Sequence, residues 1–142
     1  METSDVRRRL RQSLEQARKA SADRRARADA ARAAYGAFLR DVATPVFRLV
    51  ANVAKAEGHP CTVFTPAEAV RLATERNAED YIEMWLDASL DPPQVATRVS
   101  RRRGRDVTST EGLLRAGASV GGLTDEDVLV FLLAEFGSLV ER

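Results

Sequence analysis

The stretch DYIEMWLDAS, Asp80 to Ser89, decides the fold. Ile82, Met84, Leu86 and Ala88 fall on one face of an extended chain, and Tyr81, Glu83, Trp85 and Asp87 on the other. That period of two belongs to a half-buried strand. The following LDPPQ cannot continue a ladder, because Pro92 and Pro93 lack amide donors, so it reads as a loop. QVATRVSRR then alternates again, with Val95, Thr97 and Val99 on one face. Pairing the two apolar faces across the loop sets Leu86 opposite Val95. It also places Glu83 opposite Arg98 on the outer face, with Trp85 diagonal to that arginine and within stacking reach.

Outward from this pair, the strand period holds from Cys61 to about Thr110. CTVFT is β-branched and aromatic, Gly104 invites a tight turn, and RDVTST supplies a last strand. One segment is ambiguous. Thr65 to Glu68 has the Thr-x-x-Glu spacing of a capping box, which starts helices. Val70, Leu72 and Thr74 alternate with Arg71, Ala73 and Glu75, as in a strand. The strand reading is preferred, because its neighbours are strands and short hairpins then join them all.

Residues 3 to about 43 read as one long helix. Proline and glycine are absent from 3 to 35, and Ala, Arg, Leu, Glu and Gln dominate. A heptad frame runs through Leu14, Ser21, Ala28, Tyr35 and Val42 on one seam, and Leu10, Ala17, Arg24, Ala31 and Phe38 on the other. Its middle is small or polar, so it buries little area. It is therefore either a weak coiled coil or a single helix laid on other structure. Pro45 kinks this helix, or with Thr44 as cap begins a new one over 45–57. There Val46, Phe47, Leu49, Val50, Val53 and Ala54 form a broad apolar stripe that reads as buried, and Gly58 stops the helix.

At the far end EGLLRAGASVGG reads as a connector and 125–140 as a helix. Thr124 caps it, Asp125 to Asp127 suit its positive end, and Leu123 staples onto Val128. Val128, Leu129, Phe131, Leu132, Leu133 and Phe136 leave almost no polar face, so burial on more than one side is expected. The expected fold is α+β: a long N-terminal helix kinked or broken near Pro45, a three- to four-stranded antiparallel meander, and a C-terminal amphipathic helix. Residues 1–43 form the extended part and 44–142 the compact unit.

The 142 residues carry a formal net charge of only +1, which gives no global signal for nucleic acid. The charge is unevenly spread: 13 Lys+Arg against 7 Asp+Glu in residues 1–57, and 2 against 6 in 107–142. The single cysteine, Cys61, forbids an internal disulfide and suits a reducing cytoplasm. Neither a secretory leader nor an apolar run long enough for a bilayer is read, so no membrane association is expected.

No motif carries chemistry. His59 and Cys61 are two ligands at most and lack a nucleophile's supporting groups. Glu79, Asp80, Glu83 and Asp87 look like the exposed side of a strand, and GASVGG lacks the Lys-Ser/Thr of a phosphate loop. The expectation is a non-enzymatic module without cofactor that binds itself, as a homodimer, or another protein. Tyr35, Phe38, Tyr81, Trp85 and Phe131 are its candidate contacts. Tyr81 and Trp85 on an outer face call for cover, by a partner or by the long helix folding back. The alternative is a nucleic-acid accessory protein. It would use Arg7, Arg8 and Arg9 of the helix and Arg101, Arg102, Arg103 and Arg105, read as the solvated tip of a hairpin whose replacement leaves folding nearly unchanged.

Overall fold

The computed structural model describes residues 1–141. Helix α1 spans Thr3–Phe38, a π-helical turn occupies Leu39–Ala43, and α2 continues over Thr44–Ala56. The chain takes the continuous of the two routes past Pro45. Proline has no amide to donate and crowds the preceding turn. The widened turn just ahead absorbs this, and the Thr44 amide reaches back five residues to the Leu39 carbonyl. Thr44 is thus a buried mid-helix residue and caps nothing. Gly58, at φ 90°, ends α2 as expected.

Five strands follow: β1 (Cys61–Phe64), β2 (Val70–Thr74), β3 (Tyr81–Asp87), β4 (Gln94–Arg103) and β5 (Asp106–Leu113). They form one antiparallel meander in the order β1-β2-β3-β4-β5, one strand more than the upper expectation. The extra length lies in β5, which runs on through Glu111–Leu113, read from the sequence as connector. The β3–β4 register is the one derived above, with Leu86 opposite Val95 and Glu83 opposite Arg98.

In the ambiguous segment the strand prevails. Val70 and Leu72 are fully buried, and β2 is paired on both sides. The would-be capping box becomes a turn, with Ala67 at φ 46° and the Tyr35 hydroxyl donating to the Glu68 carbonyl at 2.6 Å. Ladder bonds on two edges outweigh one helical turn's capping preference.

Helix α3 (Asp125–Val140) has a complete capping box between Thr124 and Asp127. Both staple residues, Leu123 and Val128, are buried. Helices α2 and α3 lie on one face of the sheet, α2 over β1 and β2, and α3 over β3 and β4. Phe47, Leu132 and Leu139 meet Leu72, Ile82 and Met84 there to form the core. Helix α1 joins it only at its end, where Tyr35 and Phe38 are buried. Residues 1–26 make none of the core and are exposed along almost their whole length. No described helix is long and apolar enough to cross a membrane.

Candidate functional site

Helices α2 and α3 each carry more apolar surface than one sheet can cover. Their inner stripes (Phe47, Val50 and Ala54; Val128, Leu132 and Leu139) take up the sheet face. The remainder stays outside. Leu49 is 58% exposed, Val53 55% and Leu133 61%. With Leu129 and Phe136 they line an apolar groove of about 300 Å³ between the helices, and His59, also in its lining, packs its ring T-shaped on Phe136. The expectation that the α2 stripe is wholly buried therefore fails within a single chain, whereas α3 is covered on two sides, by the sheet and by α2, and still leaves Leu133 outside. A stripe containing Leu49, Val50 and Val53 spans more than the roughly 100° that one packed face occupies. That width was the sequence signal for this groove.

The five expected contact residues do not come together. Tyr35 and Phe38, expected at a partner, sit in the chain's own core, with ring centroids 6.3 Å apart. Burial pushes the Tyr35 hydroxyl far above its ordinary range. Phe131 is half-buried and faces a different groove, between α3 and the β4–β5 edge, beside Thr97 and Arg101. Tyr81 and Trp85 do lie on the outer sheet face, but α1 does not fold back over them. Their cover is guanidinium: Arg71 lies 4.0 Å above the Tyr81 ring and Arg98 4.8 Å from that of Trp85. Arg71 also pairs with Glu83, a buried carboxylate on that face. The outer face is roofed by its own long side chains, whose methylene stems shield apolar surface while their heads stay wet.

The arginine ribbon also differs from expectation. Arg98 has Glu83 across the ladder but bonds Glu111 of β5, at 2.9 Å and 2.6 Å, because Glu83 is already engaged by Arg71. The tip turns at Gly104, at φ 65°, as read. It is not merely solvated. Strand β3 starts at Tyr81 opposite Ser100, so the Arg102 amide lies beyond the ladder. The Asp80 carboxylate accepts it at 2.7 Å. Asp80, expected on an exposed face, is 2% accessible, with Arg103 at 3.6 Å and Arg76 at 3.8 Å. Arg103 further donates to the Ser138 carbonyl in the last turn of α3, where a cation suits the helix dipole. Arg102 and Arg103 are thus structural to a degree the hairpin-tip reading missed. Arg105 is exposed, as are Arg7, Arg8 and Arg9, with Arg8 paired to Asp5.

The remaining chemistry is modest. Cys61 begins β1 and its thiol donates to the His59 carbonyl at 3.3 Å. Burial, with Glu75 nearby, pushes the thiol up to about 11. Only the thiolate is a nucleophile. Alkylation of the folded protein at pH 8 is therefore expected to run about 100-fold slower than for an ordinary exposed cysteine, and to accelerate through pH 10 and 11. A fast reaction with iodoacetamide at pH 8 would contradict the burial. No cluster of three or more potential metal ligands occurs among the described residues.

In comparisons with known proteins, no family model, no curated protein and no solved structure matches the chain.

Proposed function

We propose that the protein is a non-enzymatic self-associating module of the cytoplasm that docks through the α2–α3 groove. One observation carries this reading: Leu49, Val53 and Leu133 are each more than half exposed on one continuous apolar surface. Single exposed apolar residues are ordinary, whereas a clustered set lining a concave surface marks an interaction site. Covering such side chains contributes roughly 25 cal/mol per Å² of apolar area. A charge placed among them desolvates without a partner and opposes association. Leu133→Glu is therefore expected to leave unfolding stability within about 0.5 kcal/mol, because the site is exposed in the monomer, while weakening self-association at least tenfold. Sedimentation equilibrium across 1–100 µM measures it. An association constant unchanged by the substitution would remove the groove from the interface.

A second reading, nucleic-acid association, is favoured by the exposed Arg7, Arg8 and Arg9. The ribbon adds less than its composition promised, since Arg98, Arg102 and Arg103 already have carboxylate partners. Phosphate neutralisation predicts duplex affinity falling steeply with salt, by a log-log slope of about −0.9 per contact.

A further inference from the structure

The groove needs an occupant, and the chain carries one. The exposed segment of α1 presents Val6, Leu10 and Leu14 four residues apart, hence as one stripe on one side of the helix. The stripe extends about 12 Å at 1.5 Å per residue. Along α3 the groove runs from Leu129 to Phe136, a length of about 11 Å by the same rise. Anchors at i, i+4 and i+8 laid between two helices are a recurrent docking mode.

Charge selects between the surfaces this helix could meet. Residues 3–26 hold eight Lys+Arg and three Asp+Glu, a net +5. The two helices that wall the groove are acidic together: α3, residues 125–140, holds four Asp+Glu and no Lys or Arg, α2, residues 44–56, holds Arg48 and Lys55, and the sum is −2. Pairing two α1 segments as a coiled coil brings +5 against +5 along a seam that beyond Leu14 is Ala17, Ser21 and Arg24. Laying α1 beside α3 brings opposite charges together over a groove of matching length.

The segment cannot reach the groove of its own chain. Helix α1 is unbroken from Thr3 to Phe38, so residues 3–26 project about 36 Å as a rigid arm. Those residues are exposed and lie in no groove of the same chain. We infer that residues 3–26 of α1 occupy the α2–α3 groove of a second copy, and that two copies exchange arms reciprocally. This inference rests on the self-association proposed above and names its ligand. A two-fold pair forms the contact twice, which doubles the area buried per dimer.

The test uses the full chain and two variants whose changed residues are exposed in the single chain. One, Leu10→Glu with Leu14→Glu, spoils the arm; the other, Leu133→Glu, spoils the groove. Circular dichroism and melting temperature should match the parent for both. In 0.1 M salt the parent is expected to sediment as a dimer, and each variant to associate at least about tenfold more weakly. A 1:1 mixture of the two should associate more tightly than either alone, because one intact arm then meets one intact groove. Raising salt to 0.5 M should weaken the parent dimer. If the arm variant dimerises like the parent while Leu133→Glu does not, the groove meets another surface and the arm inference falls alone. A parent that stays monomeric at 100 µM, or a groove variant that still dimerises, overturns both. A parent that stays monomeric yet retains duplex DNA through its arm, with loss in an Arg7, Arg8 and Arg9 to Ser variant, assigns the arm to nucleic acid instead.

Discussion

Phe38→Ala is expected to cost about 3–5 kcal/mol of unfolding free energy, with no specific loss of self-association beyond what unfolding causes. The residue is 5% accessible and belongs to the same cluster as Phe47, Leu72 and Met84. Removing the ring leaves a cavity where α1 enters the body, and a helix held at one end by few side chains has little means of collapsing onto it. Urea unfolding followed by tryptophan fluorescence gives the number, since Trp85 is the only tryptophan. A change below about 1 kcal/mol, together with a weakened dimer, would restore Phe38 to the role of a contact for a partner. The heptad pattern alone pointed to that role. Position 38 does continue the seam of Leu10 and Ala17, but the seam changes its neighbours along its length. It faces solvent near residue 10 and the core near residue 38.

Asp80→Ala is expected to destabilise by about 3 kcal/mol, far more than a change in a surface strand. The substitution strands the Arg102 amide and leaves Arg103 and Arg76 without the buried carboxylate they flank. Asp80→Asn keeps an acceptor for the amide and removes the charge, so an intermediate loss of about 1–2 kcal/mol is expected. Arg105→Ser, at the exposed end of the same turn, serves as the control and should stay within about 0.5 kcal/mol. The three variants compared in one denaturation series separate a structural ribbon from a solvated tip. Equal, small effects for all three would return the ribbon to solvent.

Much of the fold was legible because local periodicity is local physics. The alternation in Tyr81–Asp87 and Val95–Val99 set both faces and the register of the central pair, since a slip by one residue would turn every apolar side chain outward. The cap at Thr124 and the stop at Gly58 depend only on backbone groups within a turn. The segment at 65–74 was harder. Its capping spacing and its alternation are both local, and ladder pairing with β1 and β3 chose between them.

The candidate site was less legible. Leu49, Val53 and Leu133 look in sequence like any core residues, and only the position of the sheet shows which side of each helix is left over. The arginines were misjudged for a related reason. Register correctly set Arg98 across from Glu83, yet a guanidinium reaches to a third strand, and Glu111 took it while Arg71 took Glu83. The sequence by itself thus determined the α+β class, the helices, and the faces and register of the central strand pair, because each follows from neighbours a few residues apart. Only the tertiary structure decided which carboxylate meets which arginine, that Asp80 is buried, and that an apolar groove is left between α2 and α3. Those outcomes depend on competition among groups far apart in sequence, settled by reach, burial and the area one sheet can cover.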